Sequence, residues 1–307
     1  MTIEDQATAL RGLAERFKKQ CETPSLPRER RASTLAVTGG KGGVGRSTIA
    51  LNLAISLSEL GQKVCLVDAT PGLGNLDLLC GLNCYWNLSH VISGARQIEE
   101  VITAGPGGID VVVGANDLSQ LEGIPATTMQ ELSRQLETLE ENYDVLILDA
   151  GNALHSSTRP LLNLAEMFLI VTTPEPTAIA DAYASIKRLS TMKPALIEVL
   201  VNQAHDANHA AQIFERVEAT SRLFVQTRIQ YAGLVPFDEQ MTKAIWRRTP
   251  LLSYAPDSLA AKEIRKLGQR LLSSLQPDST GSGQWKERLG GIFQKSTTSP
   301  DSLASVV

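Results

Sequence analysis

Gly39-Gly40-Lys41-Gly42-Gly43-Val44-Gly45-Arg46-Ser47-Thr48 is the stretch that decides how the rest of this chain is read. Ahead of it stands Thr34-Leu-Ala-Val-Thr38, a short apolar, β-branched run that predicts a buried strand. Behind it stands Ile49-Ala-Leu-Asn-Leu-Ala-Ile-Ser-Leu57, apolar at helical spacing and closed by Gly61. A strand, a glycine-rich turn and a helix in that order bring consecutive backbone N–H groups and a helix N-terminus onto one point, which suits a phosphate. Glycine is needed there because the turn visits positive φ and the anion must approach without a Cβ in the way. The phosphate-cradling pattern G-x-x-x-x-G-K-[ST] fits Gly40 to Ser47 at every fixed position but one. Arg46 stands where that pattern has lysine.

A second lysine, Lys41, follows the first glycine of the pattern and gives Lys-Gly-Gly-Val-Gly-Arg-Ser-Thr. This resembles the deviant Walker A loop of the MinD/ParA class of P-loop ATPases. The resemblance implies ATP and Mg²⁺ as ligands, a nucleotide-dependent homodimer, and an early lysine that reaches the partner's nucleotide. On that basis Gly40, Lys41, Gly42, Gly43, Val44, Gly45, Arg46, Ser47 and Thr48 are expected to hold the phosphates, with Lys41 acting across the dimer.

The 307 residues suit one large α/β domain with tails. Apolar residues make up 43% and aromatics 5%, a balance that fits a parallel sheet rich in Val, Leu, Ile and Ala. A net charge of −4 provides no global electrostatic drive toward nucleic acid, which argues against a DNA-segregation motor. No run approaches the ~18 apolar residues of a membrane span, and the N-terminus lacks the apolar stretch of a signal peptide, so a cytoplasmic or peripheral protein is expected. Cys21, Cys65, Cys80 and Cys84 lack metal or disulfide spacing and read as reduced thiols. His205 and His209 lie four apart without a third ligand and read as ordinary helix residues.

Residues 1–20 read as a tethered amphipathic helix, with Ile3, Ala7, Leu10, Leu13 and Phe17 at three- and four-residue steps. Residues 21–31 form a proline-containing, basic linker. Such a helix docks on its own domain or on a partner. Asp5-Gln6-Ala7-Thr8-Ala9-Leu10-Arg11 is similar to the segment that opens the flagellar-number ATPases (FlhG, FleN or YlxH). That resemblance implies contact with a signal-recognition-type GTPase, FlhF, through Asp5, Gln6, Ala7, Leu10 and Arg11.

Lys63-Val-Cys-Leu-Val-Asp68 predicts a second strand, its aspartate at the edge where doubly wound sheets bind ligands. Asp68-Ala-Thr-Pro-Gly-Leu-Gly-Asn-Leu-Asp77 is similar to the class's switch I pattern, but Thr70 stands where the class has the carboxylate that orients water. Residues 85–108 predict helix and loop, Ile109 to Val113 a strand, and Thr127 to Glu141 a surface helix. Tyr143-Asp-Val-Leu-Ile-Leu-Asp149 predicts an apolar strand ending in an acid, which beside a phosphate loop suits a Walker B aspartate. Ser47 and Asp149 are the expected metal-site pair, and Ala150-Gly151-Asn152 the expected switch II turn.

Met167 to Thr173 predicts a further strand, followed by Pro174-Glu-Pro-Thr-Ala-Ile-Ala-Asp-Ala-Tyr183, which again resembles the flagellar family. Pro176 marks the start of that helix, and Ile179, Tyr183 and Ile186 its expected buried side. Glu198 to Asn202 predicts a strand whose terminal Asn202 either caps a turn or, as the resemblance implies, faces adenine. Ile229 to Pro236 closes the strands, and Pro236-Phe-Asp238 opens a helix.

The expected architecture is therefore a single doubly wound, mostly parallel α/β domain at residues 32–272. A linker at 273–284 leads to Trp285–Lys295, with Trp285, Leu289, Ile292 and Phe293 on one face and basic residues around them. The segment suits a lipid interface, or else a helix packed on the core. Residues 296–307 read as a disordered tail. The function implied is an ATP-binding, dimerising, membrane-associated spatial regulator with weak or lost hydrolysis, since Arg46 and Thr70 both depart from the class. The alternatives are a pseudo-ATPase scaffold for the GTPase and a MinD-like division-site or ParA-like segregation ATPase.

Overall fold

The computed structural model describes residues 32–70, 74–114, 138–153, 162–192, 196–225 and 227–275, together with 131, 134 and 135. The N-terminal segment 1–31 and the C-terminal segments 285–295 and 296–307 lie outside the described residues, as does most of the surface helix expected at 127–141.

Among the described residues eight strands form one sheet: β1 (Ser33–Gly39), β2 (Val64–Asp68), β3 (Ile102–Ala104), β4 (Asp110–Val112), β5 (Val145–Asn152), β6 (Met167–Thr172), β7 (Leu196–Ala204) and β8 (Gln230–Pro236). Their order is β3-β4-β2-β5-β1-β6-β7-β8, and every pairing is parallel except β3 with β4. The doubly wound expectation is met. Strand β1 sits in the middle with β5 and β6 on its two sides, so the chain changes direction across the sheet at β1. Ligands of such sheets bind at the carboxyl edge of that reversal point.

The sheet is buried on both faces. Along β1, Leu35 and Val37 join one apolar cluster and Ala36 the other, the alternation that a pleated strand imposes. One face is covered by helix α1 (Arg46–Glu59) and the last helix among the described residues, α9 (Leu259–Ser274). The other carries α5 (Pro176–Leu189) and α6 (Ala207–Phe224). Shorter helices α2 (Leu76–Cys80), α3 (Leu88–Ile92) and α4 (Ile98–Val101) follow β2, and α7 (Glu239–Trp246) and α8 (Leu251–Tyr254) follow β8. Helix α1 is buried almost all round from Ile49 to Leu57, and α9 approaches it closely at Gly268. A Cβ there would lie 2.4 Å from the Ser56 hydroxyl.

Five expectations need correcting. The edge strand β3 lies in the segment read as helix and loop; three residues with little burial leave no periodicity to detect. Ala150-Gly151-Asn152 is the end of β5, where Gly151 at φ 58° and a shift in register against β1 bend the strand, so the expected turn is a bulge. The buried side of α5 consists of Ala178, Ala182, Ser185, Ile186 and Leu189, with Ile179 and Tyr183 at its margin. His205 precedes Asp206, the residue that caps α6, so only His209 is helical. Helix α9 continues through Ser273 and Ser274 to a buried Leu275, past the expected domain end at 272. Cys65 and Cys80 are buried thiols. Among the described residues no helix is long and apolar enough to cross a membrane.

Candidate nucleotide site

The loop from Gly39 to Gly45 connects β1 to α1, as read from the sequence. Two of its glycines take left-handed conformations, Gly43 at φ 81° and Gly45 at φ 90°. Gly45 is also the residue before the first turn of α1, where the helix's unpaired N–H groups emerge. A Cβ on Gly45 would lie 2.5 Å from the Asn202 amide nitrogen. A Cβ on Gly40 would lie 2.4 Å from Asp181 of α5, so the loop is wedged between two neighbouring elements.

Asn202, near the end of β7, donates from Nδ2 to the Val44 carbonyl at 2.9 Å. The same residue lines a cleft of about 620 Å³ along the loop. Gly43, Gly45, Arg46, Ser47 and Thr48 form one wall of this cleft, and Gln203, Phe237, Asp238, Met241 and Ile245 the other. Gln203 takes a left-handed φ of 57°, and Asp238 caps α7 by accepting from the Gln240 N–H at 2.9 Å.

Two carboxylates stand at adjacent strand tips below the loop, and Asp68 of β2 is in register with Asp149 of β5. Both are buried. Asp68 Oδ1 accepts from the Thr70 N–H at 3.0 Å, while its Oδ2 has no hydrogen-bond partner. Burial, with the like charge of Asp149 added, pushes the Asp68 carboxyl up to about 7. Neither oxygen of Asp149 meets a donor at hydrogen-bonding geometry. Burial raises its pKa also, while the Ser47 hydroxyl, the Arg46 charge, the Gly151 N–H and the Thr70 hydroxyl lie near enough to oppose the rise. The Thr70 hydroxyl donates to the Asp149 carbonyl at 3.3 Å. Uncompensated buried carboxylate oxygens are costly unless a cation meets them, so Asp149 beside Ser47 fits a hard divalent ion.

The two cations of the loop take different partners. Lys41 pairs with Glu175 and donates to the Thr177 hydroxyl at 3.0 Å, both at the start of α5. It is absent from the cleft lining. Arg46 lines the cleft but folds its guanidinium back, donating to the Lys41 carbonyl, and its Nε is buried without a partner.

The structure thus brings Gly43, Gly45, Arg46, Ser47, Thr48 and Asn202 around one cleft, with Asp149 nearby; Gly40, Lys41, Gly42 and Val44 shape the loop without lining it. Sequence reading missed the far wall, residues 236–248, and the two residues that hold Lys41. The helix-opening Pro236-Phe-Asp238 after a strand was the available signal, because every parallel strand here ends on the same edge.

A family profile described as an AAA domain matches residues 32–201. The antiactivator FleN of Pseudomonas aeruginosa is 33% identical over 77% of this chain and 85% of its own length. The flagellum site-determining protein YlxH of Helicobacter pylori is 30% identical over 85% of this chain and 88% of its own. Among solved structures, the cell-division ATPase MinD of Pyrococcus furiosus superposes with a TM-score of 0.67 at 21% identity, covering 79% of this chain and 99% of that one. The septum site-determining MinD of Pyrococcus horikoshii, complexed with Mg-ADP, gives 0.65 at 21% identity over 78% and 96%. Profile, identity and fold agree with the geometry of the loop, and the chain belongs to the MinD/ParA class of P-loop ATPases, within its FleN- and YlxH-like flagellar-number subgroup.

Proposed function

We propose that this chain is an ATP-binding spatial regulator of the flagellar-number or division-site kind, switched by nucleotide between a free monomer and a membrane-associated dimer. The observation that carries the reading is the cleft itself. A left-handed glycine loop and a helix N-terminus line one wall, and a buried, unpartnered Asp149 lies beside Ser47. Gly43 to Thr48 would hold the phosphates, Ser47 and Asp149 would hold Mg²⁺, and the base would lie toward Asn202, Phe237 and Met241. Magnesium, when bound, neutralises phosphate charge. A relative crystallised as a Mg-ADP complex supports the choice of ligands.

Binding is expected to be weaker, and hydrolysis much slower, than in relatives that carry the loop lysine and the switch I carboxylate. Arg46 is engaged with its own loop, and an arginine is bulkier and more planar than the lysine it replaces. Thr70, its hydroxyl spent on the Asp149 carbonyl, is no general base, and loss of such a group slows turnover about 10²–10⁴-fold. Lys41 would leave Glu175 to act across the dimer. The segment Asp5 to Arg11 would engage an FlhF-like GTPase, and Trp285, Leu289, Ile292 and Phe293 would enter lipid once two tails are brought together.

Size-exclusion with light scattering, and co-sedimentation with anionic vesicles, test the switch in ATP, ADP and no nucleotide. The reading expects dimers and vesicle binding in ATP alone. A monomer off the vesicles in all three states overturns it. A second reading, a scaffold that binds its GTPase partner without nucleotide, draws on the same self-engaged Arg46; partner capture unchanged by ATP favours it.

A further inference from the structure

Helix α7 has two unlike sides. Met241 and Ile245 wall the nucleotide cleft, and Ala244 is buried. Lys243, Trp246 and Arg247 stand outside that cleft, at the three- and four-residue steps that make neighbours on a helix surface. With Thr242 and with Tyr254 of α8 they line an open hollow of about 330 Å³. Trp246 is 84% exposed, so its ring presents apolar area that the described residues leave uncovered. The cations beside it have little internal use. Lys243 reaches only Glu239, at 3.7 Å and in the open, where such a pair is worth little. The Arg247 guanidinium has neither an acid nor a hydrogen-bond acceptor among the described residues, whereas Arg265 and Arg270 of α9 each hold a glutamate. Helix α8, packed on α7, brings Tyr254 and no acid. The backbone under the patch is fixed, because the Arg247 N–H closes the helix on the Lys243 and Ala244 carbonyls at 3.1 Å.

We infer, building on the membrane association proposed above, that Lys243, Trp246 and Arg247 form a binding site for an anionic phospholipid headgroup on the folded domain, beside whatever the C-terminal segment contributes. An ammonium and a forked guanidinium suit one phosphate, and an indole suits the boundary between headgroups and acyl chains. A nucleic acid fits less well: it requires a longer basic track, and this chain carries a net charge of −4. One such site holds a bilayer weakly, and a dimer presents two. Because the inner side of the same helix walls the cleft, the lipid contact and the nucleotide share one rigid element.

Co-sedimentation of the full chain in ATP, with vesicles of phosphatidylcholine and with vesicles of phosphatidylcholine and phosphatidylglycerol in equal parts, tests the site. Arg247→Gln is expected to weaken binding to the mixed vesicles about fivefold, and Trp246→Ala with Arg247→Gln more than about tenfold. Arg247→Lys, which keeps the charge, is expected to retain most of the binding. Nucleotide titration and light scattering in ATP are expected to match the natural chain in all three variants, since none of these residues lines the cleft. Variants that bind mixed vesicles as the natural chain does, or a natural chain that binds both vesicles equally, overturn the inference and leave the membrane reading standing. A dimer lost in Arg247→Gln assigns the patch to a second copy of the chain, and retention of duplex DNA that Arg247→Gln abolishes assigns it to nucleic acid; either overturns the lipid site. A natural chain that binds no vesicle in any nucleotide state overturns the membrane reading and the inference together.

Discussion

Asn202 Nδ2 hydrogen-bonds the Val44 carbonyl at 2.9 Å, joining a strand near the edge of the sheet to the loop at its centre across 158 residues of chain. The amide that the resemblance assigns to adenine thus spends one of its N–H donors on holding the phosphate loop, and keeps its second N–H and its oxygen at the cleft. Asn202→Ala is expected to lose about 1 kcal/mol of stability and about tenfold in nucleotide affinity, since a mobile loop must be ordered on binding. Urea melts and nucleotide titration of the same preparation check both numbers. Unchanged affinity in a destabilised variant would restrict the bond to folding.

Gly45 cannot be replaced by alanine without conflict. Its φ of 90° is disfavoured for any side chain, and the new Cβ would meet the Asn202 amide at 2.5 Å. Gly45→Ala is expected to cost about 1–3 kcal/mol by chemical denaturation. Asn202→Ala in the same chain should return the steric part of that loss but not the backbone part.

Helix α9 meets α1 at Gly268. Replacing a helical glycine by alanine ordinarily stabilises by about 1 kcal/mol. Here the added Cβ would lie 2.4 Å from the Ser56 hydroxyl and 3.2 Å from its Cβ, so overpacking wins and Gly268→Ala is expected to destabilise by about 1–3 kcal/mol. Pairing it with Ser56→Gly, which removes both atoms, should recover part of the loss in a double-mutant cycle. A stabilised Gly268→Ala would show that the two helices separate freely.

Glu198 of β7 is fully buried and pairs with Arg270 of α9. Arg270 is 38% exposed, so the pair is only half-buried, but removing the arginine strands the buried Glu198 carboxylate. Arg270→Ala is expected to cost about 1–3 kcal/mol, and Glu198→Gln with Arg270→Ala together less than the sum of the single changes. Denaturation midpoints of the four proteins settle the comparison.

Asp68 gives the folded state a pH dependence of definite sign. Its carboxyl is pushed up to about 7 by burial and by Asp149, against about 4 in an unfolded chain. Between those values the folded state binds more protons than the unfolded one, so stability falls as pH rises through the window. The contribution is fully present below about pH 4 and gone above about pH 7. Asp68→Asn keeps the oxygen that accepts from Thr70 and should flatten the profile, with a gain in stability at pH 8. Denaturation at pH 5 and pH 8 of both proteins is the check; a gain at pH 5 alone contradicts the assignment.

The fold was legible where the chemistry is local. Runs such as Val145-Leu-Ile-Leu148 and Phe168-Leu-Ile-Val171 belong to strands buried on both faces, and a continuous apolar run is what such strands require. The glycine loop announces itself because only glycine tolerates the φ of 81° at Gly43 and 90° at Gly45. What the sequence did not reveal is set by distant partners. Glu175 and Thr177 hold Lys41 across 134 and 136 positions, and no local pattern encodes that choice. Asn52 looks like a stray polar residue in an apolar helix, yet it is buried, donating to the Thr48 carbonyl at 2.8 Å and accepting from the Leu252 N–H at 3.0 Å. Phe237 and Ile245 remain partly exposed because they wall the cleft, so their burial pattern resembles a surface rather than a site.

Everything functional in this account requires a nucleotide in the cleft between Gly43–Thr48 and Phe237–Ile245. Isothermal titration calorimetry of the full chain with ATP and with ADP, in excess magnesium, measures that requirement without relying on turnover. The expected result is saturable binding of one nucleotide per chain, weakened by Gly45→Ala and tightened by Arg46→Lys. Titrations of the folded protein that give no heat beyond dilution, with Arg46→Lys equally silent, would contradict it.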